Sequence, residues 1–296
     1  ARKTGAGKAE GPNPLPIKFQ GHHNEVRFRS TWIEPLDLAA MPAVPKDDAR
    51  RIDRTLPRPG KVFSVGGLTA FVIEPTAASR RPGPMPWVWY APALPRTPGP
   101  EEGWMFDRLL AKGIAIAGID VGESYGSPKG REGYDALYEH LTTTRGFAKR
   151  AVLLARSRGG LMLYSWATLH PECVAGIAGI YPVCDVVSYP GVERAAPAYG
   201  LSAAELSAQL PTHNPIERLD ALAAARVPIL HIHGDSDTVV PLDANSAALQ
   251  ARYSKMGGPV EVTVLAGRGH DMWSGWFQSE ALTAFMIQRA RAAASK

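Results

Sequence analysis

The sequence predicts an α/β protein: a mostly parallel central sheet with helices on both faces and a small cap insertion. Three observations carry this expectation. Apolar extended runs alternate with amphipathic or helical stretches from about residue 61 to the end of the chain. Several of those runs are apolar at every position rather than at alternate ones, as strands covered on both faces require. The 296 residues are 45% hydrophobic and 21% charged, a globular composition that can bury one large core.

Residues 1–60 are rich in Pro, Arg and Asp (PNPLP, PAVPKDD, RTLPRPGK), lack sustained periodicity and read as an irregular N-terminal arm. Residues 61–296 read as one domain. GLTAFVIEP and PMPWVWYAP are extended and apolar, WMFDRLLAKG is amphipathic, and IAIAGIDV reads as a buried strand. A helix is expected near Tyr134 to Thr142, then strand RAVLLA, helix GLMLYSWATLH and strand VAGIAGIYPV. Strand VPILHIHG, helix ANSAALQARYSKMG, strand VEVTVLAG and a final helix ending near Arg291 follow. Between VAGIAGIYPV and VPILHIHG, residues 185–226 form a polar insertion with Tyr189 and Tyr199, too long for an ordinary connection and expected to cap a site.

The net charge of +5 sits at the start of the chain. Residues 1–30 hold six basic side chains (Arg2, Lys3, Lys8, Lys18, Arg27, Arg29) against Glu10 and Glu25, leaving 27 basic against 26 acidic residues elsewhere. A solvated basic terminus is expected, not a nucleic-acid partner. The longest nearly apolar stretch, Cys173 to Cys184, contains glycines and a proline and falls short of the roughly 18 residues of a membrane helix, so no membrane partner is expected. A strand between those two cysteines holds their Cα atoms beyond disulfide reach, so both are expected free. The sequence starts without Met or a signal-like apolar segment, which is compatible with a removed export signal and a secreted or periplasmic protein.

In an open parallel sheet, reactive groups collect just beyond the carboxyl ends of strands. RAVLLA runs through Arg156-Ser157-Arg158-Gly159-Gly160 into a helix, placing a hydroxyl at the apex of a strand–turn–helix with small residues, Ala155 and Gly159, on either side. A literal Gly-x-Ser-x-Gly occurs at Gly122-Glu123-Ser124-Tyr125-Gly126, but Ser127, Pro128 and Gly130 follow it and are not expected to open a helix at once. Strand VPILHIHG ends in Gly234-Asp235-Ser236-Asp237, and strand VEVTVLAG ends in Arg268-Gly269-His270. A serine nucleophile needs a base for its proton, and the imidazole base needs a carboxylate to fix its tautomer. Ser157, Asp237 and His270 supply these three types in one chain order.

On the segments ARSRGG, HGDSDTVVP and GRGH, the chain from about Lys61 to the final helix resembles the α/β-hydrolase superfamily, in its prolyl-oligopeptidase-like and dienelactone-hydrolase-like esterase branch. The resemblance implies a doubly covered parallel sheet and a catalytic triad of Ser157, His270 and the aspartate of an HG-x-x-D-x-x-VP run. That aspartate falls on Asp237, with Asp235 and Asp185 as alternative acids. It also implies an oxyanion hole made by the backbone N–H of Arg158 and by a donor after PMPWVWY. Pro92 has no N–H, so Ala93 or Leu94 must supply the second donor. The Ser157-Arg158 pair further resembles the Ser-Arg run of glucuronoyl esterases, where the arginine side chain helps hold the oxyanion.

The expected activity is serine ester hydrolysis through an acyl-enzyme, with no cofactor or metal and a small-molecule or carbohydrate ester as substrate. The alternatives are a prolyl-oligopeptidase-like peptidase and a disabled hydrolase-fold binding protein. His231 and His233 on one strand resemble part of a zinc motif whose next histidine is replaced by Ser236, and they read better as packed strand histidines. Trp104, Tyr125 and Trp273 are candidate substrate contacts. No dinucleotide or phosphate-binding glycine loop is present in the required strand-to-helix form.

Overall fold

Eight strands form one sheet in the computed structural model of the protein, which describes residues 54–295. All of the described residues fall in a single unit by their contacts. The expected arm lies outside the described residues as far as position 53, and residues 54–60 run as irregular chain into the first strand.

The strands are β1 (Lys61–Val65), β2 (Leu68–Ile73), β3 (Trp87–Ala91), β4 (Ala115–Ile119), β5 (Ala151–Arg156), β6 (Val174–Ile180), β7 (Ile229–Gly234) and β8 (Val260–Leu265). Their order across the sheet is β1-β2-β4-β3-β5-β6-β7-β8. The β1–β2 and β2–β4 pairs are antiparallel and the rest are parallel. Strand β1 was not expected from the Pro- and Gly-dense segment that leads into it. Its cue is Gly66-Gly67, whose φ values of +57° and +78° make the two-residue hairpin turn that pairs Val65 with Leu68.

The helices are α1 (Gly103–Ala111), α2 (Pro128–Glu139), α3 (Gly159–Ala167), α4 (Val192–Tyr199), α5 (Ala203–Ala208), α6 (Leu210–His213), α7 (Asp220–Ala224), α8 (Ser246–Lys255), α9 (Ser274–Phe277) and α10 (Glu280–Ala294). Helix α2 begins six residues before the expected Tyr134, because Pro128 occupies its first turn, where a missing N–H costs nothing, and the Ser127 hydroxyl accepts from the Gly130 N–H at 3.3 Å.

Strand alternation divides the core. Leu153 and Ala155 face one layer with Met162, Tyr164, Trp166 and Leu249. Val152 and Leu154 face the other with Phe106, Leu109, Leu282 and Met286. A third cluster joins Ala195, Ala196 and Leu206 of the insertion to Leu161 of α3 and to Val240, so the insertion is seated on the loop beyond β7. Cys173 and Cys184 are free thiols, and burial raises the pKa of both. No helix among the described residues is long and apolar enough to cross a membrane.

Candidate active site

Ser157 follows β5 with φ +50°, a left-handed backbone that costs a non-glycine residue roughly 1–2 kcal/mol. Its surroundings hold it there. Its N–H donates to the Ile180 carbonyl at 3.0 Å, and its carbonyl accepts from the N–H groups of Gly160 and Val183, both at 2.9 Å. A Cβ at Gly159 would stand 2.1 Å from the Ala91 carbonyl oxygen, and one at Gly160 2.3 Å from that of Val183. The two glycines therefore let the turn lie between the end of β3 and the loop after β6.

The β7 and β8 loops meet by the same device, since a Cβ at Gly234 would stand 2.0 Å from the Arg268 carbonyl oxygen. That approach carries Asp237 and His270 together. Asp237 Oδ2 accepts from His270 Nδ1 at 2.7 Å, and the Ser157 hydroxyl lies 2.8 Å from His270 Nε2. A carboxylate can only accept, so Nδ1 carries the hydrogen and Nε2 presents its lone pair to the Ser157 O–H. The Asp237 side chain is fully buried, and its Oδ1 accepts from the N–H groups of Val239 and Val240 at 2.9 and 2.8 Å. Burial works to raise its pKa, but hydrogen bonds from His233, His270 and Val240 outweigh it and hold the carboxyl well below the usual range. The Tyr181 ring packs on the His270 ring with centroids 4.3 Å apart.

The other candidate residues lie elsewhere. Asp235 Oδ1 accepts from the Gly267 N–H at 2.7 Å and braces the β8 loop, while Asp185 Oδ1 accepts from Val187 N–H and Asn214 Nδ2 within the insertion. Ser124 is buried against Gly130, and its hydroxyl has no hydrogen-bond partner among the described residues. Although α2 does open four residues after it, Ser124 lines a different cavity from His270.

His231 and His233 are fully buried with their nitrogens engaged. His233 Nε2 lies 2.8 Å from the Val240 carbonyl, which can only accept, so that nitrogen carries a hydrogen. Ser246 and Tyr164 join the two rings in one chain of contacts. Ser246 Oγ lies 2.8 Å from His233 Nδ1 and 3.0 Å from His231 Nδ1, and Tyr164 Oη lies 2.7 Å from His231 Nε2. Burial, reinforced by the neighbouring His233, pushes the His231 pKa down to about 3 and keeps that ring neutral.

Ser157 and His270 open on a cavity of about 250 Å³, walled also by Pro92, Thr97, Tyr181, Tyr189 and Met272. None of the three aromatic candidates lines it. Trp104 packs beneath the Arg108 guanidinium, 3.3 Å away, on α1. Tyr125 packs in the insertion cluster, where its carbonyl accepts from Tyr199. Trp273 lies under Arg268 at 3.9 Å and edge-on to Trp276. Tyr181 and Tyr189 supply the aromatic wall instead. The Leu94 N–H is committed to Thr97 Oγ1 at 3.1 Å. Among the described residues no acceptor takes the N–H of Arg158 or of Ala93.

Arg156 also lines the cavity and was not singled out from sequence. Its Nη1 lies 2.6 Å from Oε1 of Glu102, which is fully buried. The same oxygen accepts from Tyr90 Oη at 2.7 Å, and Glu102 Oε2 accepts from the Gly99 N–H at 2.8 Å. Burial opposes the charge of Arg156, but Tyr90 and Glu102 more than offset it and raise the pKa above the ordinary arginine value. A sequence cue existed: strand alternation puts position 156 on the same face as Leu154, and therefore toward α1 and α10.

Residues 133–288, more than half of the chain, match the model of the prolyl oligopeptidase family. No curated protein matches the sequence. Among solved structures, the chain is similar to a puromycin-hydrolyzing peptidase of Mycobacterium tuberculosis (17% identity, TM-score 0.60, covering 77% of this chain and 39% of that one). It is also similar to dipeptidyl peptidase 4 of Porphyromonas gingivalis (15% identity, TM-score 0.61, 78% and 35%). Est1E from Butyrivibrio proteoclasticus matches at 15% identity and TM-score 0.57, covering 78% of this chain and 98% of that one. The chain thus spans between 35% and 39% of the length of those two peptidases, and at these identities the likeness is one of fold. With the mostly parallel eight-stranded sheet, these matches show an α/β-hydrolase fold, and the chain belongs to the prolyl oligopeptidase family.

Proposed function

We propose that the protein hydrolyses carboxylic esters through an acyl-enzyme on Ser157. The observation that carries this reading is the continuous line from Ser157 Oγ through His270 to buried Asp237, with contacts of 2.8 and 2.7 Å. Ser157 Oγ attacks the ester carbonyl carbon while His270 Nε2 takes its proton, and Asp237 stabilises the imidazolium. The oxyanion is met by the N–H groups of Arg158 and Ala93. Collapse of the tetrahedral species breaks the bond to the alcohol oxygen, which takes the proton from His270. Water then attacks the acyl-enzyme with the same histidine as base, releasing the acid and restoring Ser157.

An ester fits this apparatus because an alkoxide is a better leaving group than an amine anion and depends less on the proton that His270 supplies. Trp104, Tyr125 and Trp273 lie outside the cavity, and of the tyrosines of the insertion Tyr189 lines it, so the reading extends to a carboxylic ester and no further. Cleavage of peptide bonds is the second reading, favoured by the family to which the chain belongs. Matched p-nitrophenyl esters and p-nitroanilides with the same acyl groups separate the two. The ester reading expects ester turnover with anilide turnover lower by several powers of ten, and anilide or peptide turnover of comparable kcat/KM replaces it with the second.

A further inference from the structure

Two arginines flank the nucleophile in sequence, and both line its cavity. They are held differently. Arg156 is fixed from behind by buried Glu102, whose other contacts go to Tyr90 and Gly99, and its guanidinium lies 5.0 Å from the Phe277 ring centroid. Only Nη1 takes part in the pair with Glu102. Nη2 faces Met272 Sδ at 3.0 Å, and Met272 is half exposed. A thioether is a weak acceptor, so this edge of a permanently charged, immobilised guanidinium retains its donor capacity toward the cavity. Arg158 lies on the other side of Ser157 and pairs with Glu123 at 3.1 Å, with both side chains more than a third exposed. An exposed pair of this kind contributes little and exchanges readily.

We infer that Arg156, with Arg158, binds a carboxylate carried by the substrate close to the scissile carbonyl. This rests on the ester-hydrolase reading and adds the substrate class: a carboxylic ester bearing a second, free acid group. One carboxylate oxygen displaces Met272 from Nη2 of Arg156, and the other draws Arg158 from Glu123. Each contact is a charge-assisted N–H···O bond, stronger than one between neutral groups. Asp271 also lines the cavity; it is an exposed residue, and its Oδ1 accepts from Trp273 N–H and Trp276 Nε1 at 3.1 and 2.8 Å. Glu102 is spent on Arg156, Tyr90 and Gly99. Arg156 and Arg158 are the arginines among the residues lining the cavity, and Nη2 of Arg156 is the donor that is fixed in place.

Two substrate pairs test this on the full chain, one for each side of the ester. Mono-p-nitrophenyl adipate against its methyl ester places the carboxylate on the acyl side. Then 3-carboxy-4-nitrophenyl butyrate against p-nitrophenyl butyrate places it on the leaving group. The expected result is a kcat/KM advantage of at least tenfold for the carboxylate in one pair, shrinking with added salt and abolished in the double variant Arg156→Met/Glu102→Gln, which leaves no buried charge unpaired. No advantage in either pair, or one that survives in the double variant, overturns the inference while the neutral esters still report an ester hydrolase. Failure to turn over any of the four esters, together with no labelling of the serine, overturns the ester reading itself.

Discussion

His233 Nε2 and Asp237 Oδ2 stand 3.5 Å apart, and that oxygen is the one that accepts from His270 at 2.7 Å. The hydrogen on Nε2, fixed by the Val240 carbonyl, draws on the charge that Asp237 offers to His270. Val239 and Val240 N–H act on the other oxygen, and His231 lies behind Ser246 as a neutral ring. Removing the His233 donor leaves Asp237 a stronger partner for the imidazolium, which favours protonation of the base at higher pH. In His233→Phe the acid limb of the kcat/KM–pH profile is therefore expected to move to higher pH, with a smaller move in His233→Gln, which keeps an N–H donor. Stopped-assay pH profiles on a p-nitrophenyl ester check this.

Asp237→Asn removes the acceptor that fixes the His270 tautomer. Turnover is expected to fall by about 10³–10⁴ with little change in KM. The same carboxyl bears on acid stability. Its pKa in the folded protein lies below the ordinary 3.8, so the folded state binds fewer protons than the unfolded one. The resulting stabilisation is fully present above that ordinary value and is lost as pH falls through the lower, folded one. Acid unfolding followed by tryptophan fluorescence is expected to show a shallower dependence on pH in the variant over that window.

Gly159→Ala and Gly267→Ala separate close approach from backbone conformation. A Cβ at Gly159 meets the backbone of Ala91 and Pro92 within 2.5 Å, whereas Gly267, with φ +67°, has nothing within 4 Å of its would-be Cβ. The first change is expected to cost about 3 kcal/mol or more and to abolish ester turnover. The second is expected to cost about 1–2 kcal/mol with turnover retained. Denaturant melts and steady-state rates on both variants decide it.

Glu102→Leu strands the Arg156 charge among Phe277, Tyr90 and Met272. The expected loss is about 3–5 kcal/mol by chemical denaturation, and Arg156→Met in the same chain is expected to restore much of it, because a buried pair costs most when one partner remains alone.

The fold was legible because β3, β4 and β6 are short unbroken apolar runs, with β5 apolar up to Arg156, and because Ser157, Asp237 and His270 each fall within a few residues of a strand's end, where topology concentrates reactive groups. Periodicity says nothing of where a loop side chain turns. Trp104, Tyr125 and Trp273 were plausible by type and proximity in sequence, yet Arg108, the insertion cluster and Arg268 claim them. Glu102, beside α1, looks like a solvated helix-terminus acid. Its burial depends on Arg156, 54 positions away, and no local pattern encodes that pairing. Leu94 was a candidate oxyanion donor until Thr97, three residues on, was seen to take its N–H.

Treatment of the full chain with a fluorophosphonate, followed by peptide mass spectrometry, tests the proposed nucleophile most directly. The account predicts one adduct, on Ser157, absent in Ser157→Ala, retained in Ser124→Ala and much slower to form in His270→Ala. An adduct on Ser124, or labelling that survives in Ser157→Ala, contradicts it.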